Sequence, residues 1–364
     1  MRAGFDYSDS NLSGDTREGT QVLGSQEGRM SVLDLVLTPS FGYDLGRQFK
    51  ATLSMPVVLR NNRTMNVADR YAFVRPSMLI TADLSRRLSF TLNSNMSQSD
   101  GGIHDLYSGA IMTSYRQMSA SSGVLPHTNT MNVSPSLEYR NPVSGVIANL
   151  SAVYSRSQRS HITSSDISED STQKESVSQK NLSDRKSVSI RIAKRMDALA
   201  TTLHVNGGWS SMGSSMMRQG VTSVLDNENW TGRISAETRF SSRLNAELST
   251  SINSSSMLMD GQKRSQRGFS ESFLSVNFLP VKNHVITALV ENYLIKPSGL
   301  PVTSINFVDL SYRITTGRTT FSVDARNLLN TREYFSLSVG DAVTTTSTIK
   351  MRPASVVFRV KRDF

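Results

Sequence analysis

The chain has 364 residues and a formal net charge of +10, and only 37% of its residues are hydrophobic. Soluble globular domains usually contain ~45–50% apolar residues, so this content is too low for two or three ordinary soluble cores. No run of about 18 apolar residues occurs, which excludes a membrane-spanning helix. The sequence contains no cysteine, which excludes disulfides and thiolate metal sites.

Apolar and polar residues alternate along much of the chain with a period of two, which is the period of a β-strand. A helix would need a period of 3.6, and these segments do not show it. The clearest examples, in chain order, are residues 49–55, 88–93, 187–192, 233–240, 244–253 and 321–326. The pattern therefore predicts an all-β protein in which every strand has one apolar and one polar face.

The connections between these strands alternate in length. We predict tight turns near residues 45–47, 84–86, 140–145, 193–197, 240–243, 279–283 and 316–318. We predict long polar loops near residues 10–28, 60–69, 97–128, 161–183, 213–228, 259–266, 297–302 and 338–346. Short periplasmic turns and long extracellular loops are typical of transmembrane barrels, whose polar lumen also accounts for the low apolar content. Counting a first strand over residues 1–10, we expect roughly 16 antiparallel strands.

Two local features add detail to this interpretation. Residues 155–183 are almost wholly polar and cannot bury much apolar area, so we expect a mobile surface loop there rather than an inserted domain. Pro39, Pro76 and Pro135 are each followed by serine in segments that descend from a long loop toward a turn. Because proline cannot donate to a strand ladder, we expect bends or weak pairing at these positions.

The C-terminus combines an amphipathic strand with an aromatic last residue. Val356, Phe358 and Val360 alternate with polar residues, and the chain stops at Phe364 on the same apolar face. This pattern resembles the assembly signal of outer-membrane barrels. The resemblance implies that the barrel-assembly machinery recognises Phe358, Val360 and Phe364.

A more specific motif precedes this strand. Residues 324–334 have the sequence Asp-Ala-Arg-Asn-Leu-Leu-Asn-Thr-Arg-Glu-Tyr, and an Arg-Pro-Ala segment begins at residue 352. This resembles the end of TonB-dependent outer-membrane receptors, in which such a segment closes the penultimate strand and an Arg or Pro-Arg pair opens the last one. The order Arg-Pro departs slightly from that pattern. The motif residues are Asn327, Leu328, Leu329, Asn330, Tyr334, Arg352 and Pro353.

A second resemblance to the same family is the turn Glu138-Tyr139-Arg140-Asn141-Pro142, with Gly145 after it. The barrel pattern covers the whole chain, but specific motifs occur mainly in the last ~50 residues. The resemblance implies a transmembrane antiparallel up-and-down β-barrel over residues 1–364, as the C-terminal portion of a larger barrel of about 22 strands. We then expect the signal peptide, the plug domain and the first strands to lie outside this sequence.

The same resemblance implies an outer-membrane transport component of a bacterial cell, which captures a solute and takes part in TonB-dependent uptake within a larger receptor. The implied partners are outer-membrane lipid, the barrel-assembly machinery and, through the plug, the TonB energy-coupling complex. The solute could be a metal chelate, a glycan, a peptide or a vitamin. Two alternatives remain open, a passive porin and a barrel that anchors a surface adhesion or secretion function.

Other functions lack support in the sequence. Aromatic residues make up 7%, without the basic and aromatic clustering expected of a nucleic-acid surface. The five histidines are dispersed, and no G-x-S-x-G, phosphate-loop or dinucleotide motif occurs, so we predict no metal site, no cofactor and no enzyme activity. Several arginines fall on predicted polar faces, where they would line a solvated lumen or, alternatively, a path for anionic solutes: Arg191, Arg233, Arg239, Arg313, Arg326 and Arg359.

Overall fold

A computed structural model describes residues 2–18, 21–46, 48–64, 68–106, 111–114, 117–168, 171–296, 301–339 and 344–363. Apart from two short 3-10 helices, Ile103–Leu106 and Asp197–Leu199, its regular structure is entirely β. The strands are β1 (Arg2–Glu18), β2 (Gln21–Thr38), β3 (Ser40–Leu45), β4 (Phe49–Ser54), β5 (Val57–Thr64), β6 (Ala68–Val74), β7 (Ser77–Ser85), β8 (Leu88–Asp100), β9 (Ile111–Ser114), β10 (Gln117–Ala120), β11 (His127–Asn141), β12 (Val146–Arg159) and β13 (Ile162–Ile167). They continue with β14 (Thr172–Val177), β15 (Asn181–Met196), β16 (Thr201–Arg218), β17 (Val221–Arg239), β18 (Leu244–Met259), β19 (Gln262–Phe278), β20 (His284–Lys296), β21 (Thr303–Thr316), β22 (Thr319–Arg326), β23 (Glu333–Val339), β24 (Thr344–Lys350) and β25 (Ser355–Arg362).

Most of these strands belong to one barrel. Antiparallel registers run from β3 through β4, β7, β8, β11, β12 and β15–β22 to β25. Within the described residues these registers connect fifteen strands, and the predicted first strand over residues 1–10 lies in β1, which belongs to a separate sheet and not to the barrel. The prediction of an antiparallel up-and-down barrel of roughly 16 strands is confirmed.

The predicted tight turns lie at one end of this barrel, which we call the turn end. Each of the seven joins two neighbouring strands, as residues 142–145 join β11 to β12 and residues 240–243 join β17 to β18. Gly145 and Gly317 have φ values of 63° and 61°. Such left-handed backbone costs least for glycine, and this explains glycine at both turns.

The prediction of long loops at the opposite end is wrong in part, because several of these segments are paired strands. There β16 and β17 continue to a two-residue turn at Gln219-Gly220, and β18 and β19 continue to one at Asp260-Gly261. All four turn residues have positive φ, as two-residue hairpin turns of type I′ require. Antiparallel backbone hydrogen bonds do not depend on apolar side chains, so polar segments can extend the ladders. We call this the hairpin end.

A separate four-stranded sheet has the strand order β1-β2-β5-β6. Along the chain, β2 is followed by the barrel strand β3, β5 follows β4, and β6 is followed by β7. Pro39, Pro56 and Pro76 separate the strands of this sheet from the barrel strands that continue them. Proline lacks the N–H that a ladder needs, yet the carbonyl oxygen of each accepts a backbone hydrogen bond, from the N–H groups of Met55, Arg75 and Met96 respectively. The expected interruption is therefore present at Pro39 and Pro76, and Pro56 shares it. At Pro135 the register with β12 is interrupted, while that with β8 continues.

The prediction that residues 155–183 form a mobile loop is wrong for most of the segment. β13 and β14 form a hairpin, in which β14 pairs with β10 and β13 pairs with the end of β16. Ile162 is only 1% exposed, and His161 is also buried. The apolar content of the segment did not predict these strands, because backbone pairing with other hairpin-end segments holds them in place and does not require apolar side chains.

The distribution of apolar side chains is inverted relative to a soluble protein. Among the described residues, six hydrophobic side chains are buried, whereas 48 large ones are exposed. On β18, Leu248 and Ile252 are 50% and 58% exposed, while the intervening Ser249 is only 5% exposed. Side chains on the concave side of a barrel crowd together and are therefore less exposed than those on the convex side. We accordingly call the face of Ser249 the inner face and that of Leu248 the outer face. No helix in the described ranges is long and apolar enough to cross a membrane.

Candidate functional site

The predicted family motif forms a compact polar turn between β22 and β23, which we call the clasp (residues 327–331 with Arg352 and Ala354). The Asn327 side chain donates hydrogen bonds to the carbonyl oxygens of Thr331 and Arg352, both at 2.8 Å. Its amide oxygen accepts a hydrogen bond from the Thr331 N–H at 2.9 Å. The clasp therefore joins the end of β22 to the segment that opens β25.

Backbone contacts complete this turn. The Asn327 N–H donates to the Asp309 carboxylate at 2.7 Å, and the Asn330 amide oxygen accepts from the Ala354 N–H at 3.1 Å. Asn327 and Asn330 have φ values of 52° and 54°. Asparagine is one of the few residues with a side chain that adopt this left-handed conformation at low cost. Asparagine at both positions thus follows from local geometry.

The structure places the other predicted residues as follows. Leu328 and Leu329 are exposed within the clasp, and Tyr334 lies on β23 with its ring centroid 6.1 Å from that of Tyr293. Pro353 lies between Arg352 and β25. Phe358 and Val360 are exposed on the outer face of β25, whereas Phe364 lies outside the described residues. Their roles in assembly remain predictions.

The inner face carries the predicted arginines. Residues that are directly opposite in an antiparallel ladder share a face, which connects Ser249 and Ser251 on β18 with Arg233 on β17. The same reasoning places Arg191, Arg239, Arg313, Arg326 and Arg359 on the inner face. The Arg233 Nε donates to the Ser249 hydroxyl at 3.1 Å. Arg326 and Arg359 lie 3.8 and 3.7 Å from the Asp324 carboxylate. This wall is polar and solvent-accessible, as expected of a lumen.

Sequence reasoning missed a buried charge cluster at the hairpin end. Arg60 on β5 makes a two-point contact with Asp34, at 2.6 and 2.7 Å, and donates to Asp100 at 2.7 Å. Asp100 also accepts hydrogen bonds from the Tyr71 hydroxyl and from the His127 ring at 2.7 Å. These residues are far apart in the sequence and belong to the four-stranded sheet and to β8 and β11. No local sequence motif therefore predicts the cluster. The cluster connects that sheet to the barrel.

Burial alone would raise the pKa of the Asp100 carboxyl group, but its hydrogen bonds to Tyr71, Arg60, His127 and Asn62 together lower it to about 2. Burial, together with Asp100, raises the pKa of Tyr71 to about 12. A carboxyl group with a lowered pKa in the folded state stabilises that state above its ordinary pKa of 3.8. This stabilisation is lost as the pH falls from about 4 to about 2.

We therefore expect Asp100→Asn to lower stability at pH 7 by about 1–2 kcal/mol and to abolish the pH dependence between pH 4 and 2 that Asp100 contributes. Unfolding by urea in detergent micelles, followed at several pH values, measures both effects. The matched control is Asp9→Asn, since Asp9 forms an exposed ion pair with Arg29. Equal effects of the two substitutions would show that the cluster does not stabilise the junction.

Comparisons with known proteins returned structural matches only. No family model matches the chain, and no curated protein does. Solved structures similar to it include the siderophore receptor PiuA from Acinetobacter baumannii (10% identity over 88% of this chain and 56% of that chain, TM-score 0.43). The ferric citrate transporter FecA is also similar, with 12% identity over 95% of this chain and 54% of that chain and a TM-score of 0.43. The outer membrane transporter YddB from Escherichia coli has 7% identity over 92% of this chain and 68% of that chain, with a TM-score of 0.29. The chain spans about half the length of the first two.

Proposed function

We propose that this chain is part of the barrel of a TonB-dependent receptor in a bacterial outer membrane. The observation that carries this proposal is the outer face, on which successive barrel strands expose large apolar side chains. Examples from five neighbouring strands are Leu248, Leu274, Val290, Leu310 and Phe321. In water such a surface would be unfavourable, whereas a lipid bilayer requires it. The inner face, with its serines and arginines, suits a lumen.

The two ends of the barrel support an orientation. Short turns face the periplasm in barrels of this kind, and long segments face outward. We therefore place the hairpin end, with the four-stranded sheet and the Asp100 cluster, at the cell surface. There the hairpins would capture a solute such as a metal chelate, glycan, peptide or vitamin. The solute would then pass along the inner face. The TonB complex would drive this transport through a plug domain of the same receptor.

The clasp supports the family assignment. Asn327 joins the end of β22 to Arg352, so the two parts of the sequence motif meet in space. In this proposal the apolar outer face of β25, including Phe358 and Val360 and ending at Phe364, is recognised by the barrel-assembly machinery. The chain acts as a transport component and not as an enzyme.

The test is assembly in cells. With an export signal fused to residue 1, we expect the chain to fractionate with the outer membrane of a Gram-negative host. It should also run on gels as a compact band that shifts on heating. Protease added to intact cells should cut at the turns near residues 219–220 and 260–261, while the turn near residues 240–243 stays protected. A soluble periplasmic product, or cleavage at residues 240–243 in intact cells, would contradict the proposal.

A further inference from the structure

One sector of the inner face differs from the rest, because aromatic rings and carboxylates are combined there. We call it the aromatic–carboxylate patch; its inner-face members are Phe269, Glu271, Glu291, Tyr293 and Phe307, and Tyr334 of the separate β23–β24 hairpin adds a ring that contacts Tyr293. The ladder pairs Glu271 directly with Tyr293, and Glu291 directly with Phe307. Glu271 also lies opposite Ser251, which connects the patch to the inner face.

Tyr293 lies at the centre of this patch. Its ring centroid is 6.3 Å from Phe269, 6.2 Å from Phe307 and 6.1 Å from Tyr334, and the last two rings are nearly perpendicular to it. The Tyr293 hydroxyl donates to the Glu291 carboxylate at 3.1 Å. Three aromatic neighbours therefore surround one ring, and a carboxylate lies at its edge. All of these side chains are partly exposed.

The two carboxylates carry charge that the described residues do not neutralise by an ion pair. Within the described ranges, the salt bridges of the structure include neither Glu271 nor Glu291. Across the ladder, Arg233 lies two strands from Glu271, and its Nε donates to Ser249. On β19 the nearest arginine is Arg267, four positions from Glu271. The patch is thus a locally acidic area in a wall that is otherwise rich in arginine.

We propose that the aromatic–carboxylate patch binds an organic cation, of the quaternary ammonium or guanidinium class, as it passes along the lumen. An aromatic face attracts a cation within about 6 Å, and neighbouring carboxylates add a Coulombic attraction. A hydrated inorganic ion would gain little from the rings. The preference for an organic cation follows from the combination of both groups. This inference rests on the proposed transport function, because it assigns a substrate class to the lumen.

The experiment uses the whole 364-residue chain, folded in detergent micelles. The probe is benzyltrimethylammonium, and benzenesulfonate and benzyl alcohol are the anionic and neutral comparators. Saturation-transfer NMR and equilibrium dialysis report binding. We expect benzyltrimethylammonium to bind more tightly than either comparator, and Glu271→Gln and Tyr293→Leu each to weaken its binding about tenfold. Tyr293→Phe should retain most of the affinity, since the ring face is kept.

Glu237→Gln is the matched control. Glu237 lies on the same inner face but near the turn end, opposite Glu247 and away from the rings of the patch. It should leave the affinity unchanged. Equal binding of the three probes, or equal weakening by the Glu237 and Glu271 variants, would overturn the inference. Outer-membrane assembly is scored separately, so a barrel that assembles but does not prefer the cation refutes only the inference. A chain that fails to assemble refutes the proposed function.

Discussion

Replacing Phe358 with arginine is expected to destabilise the folded barrel by about 2–4 kcal/mol, which is the cost of a charge on the lipid face near the middle of a bilayer. Phe358 is 77% exposed on the outer face of β25, and it is the fourth of that strand's eight residues. Phe358 therefore lies well inside the strand, away from both of its ends. Urea unfolding of the barrel in lipid vesicles measures the loss, and the heat-shifted gel band measures assembly.

Val357→Arg is the matched control, because Val357 lies next in sequence on the opposite face. It is paired with Asp324 across the ladder, so a new arginine there would face the lumen beside a carboxylate. We expect a change of less than about 1 kcal/mol at this partly solvated position. If the Val357 and Phe358 variants lose equal stability, the assignment of the inner and outer faces is wrong.

Replacing Asn327 with alanine is expected to cost about 3 kcal/mol of folding stability. The substitution removes three side-chain hydrogen bonds from a buried position and places alanine at a φ of 52°. The carbonyl oxygens of Thr331 and Arg352 would lose their donors. Unfolding by urea in micelles measures the total loss, and hydrogen exchange of the β25 amides shows whether the last strand is loosened first.

Two further variants separate the causes. Asn327→Gly removes the same hydrogen bonds without the backbone strain, so its loss should be about 1 kcal/mol smaller than that of the alanine variant. Leu328→Ala changes an exposed neighbour and should have little effect. A stability loss at Asn327 no larger than that at Leu328 would show that the clasp does not hold β22 and β25 together.

The barrel itself follows from features that are local in the sequence. Alternation at residues 244–253 predicts the two faces of β18, and the glycine at residue 317 marks a turn that needs positive φ. Both the alternation and the turn depend only on residues a few positions apart, so a single sequence is sufficient to predict them. The lengths of the hairpin-end strands were not predictable in this way. A polar segment such as residues 213–228 has the same composition whether it is a loop or a pair of strands, because only backbone hydrogen bonds distinguish the two states.

The sites, too, differ in whether the sequence alone predicts them. The residues of the clasp could be anticipated, because Asn327, Asn330 and Arg352 belong to the two segments of one sequence motif. The Asp100 cluster could not, since Arg60 and His127 come from different sheets and meet only after folding. Tyr293 and the three rings around it belong to four strands, and each of them alone resembles an ordinary residue of an alternating strand.

The clasp also has a practical consequence for the β23–β24 hairpin. Asn327 and Asn330 bind Arg352 and Ala354 across the base of this hairpin, and the Met351 N–H donates to the Arg332 carbonyl oxygen at 2.8 Å. The base is therefore fixed independently of the hairpin's length. A foreign peptide inserted between β23 and β24 should leave the neighbouring strands in register. This hairpin is thus a suitable position for an epitope tag, and the barrel could serve as a carrier that displays peptides to solvent.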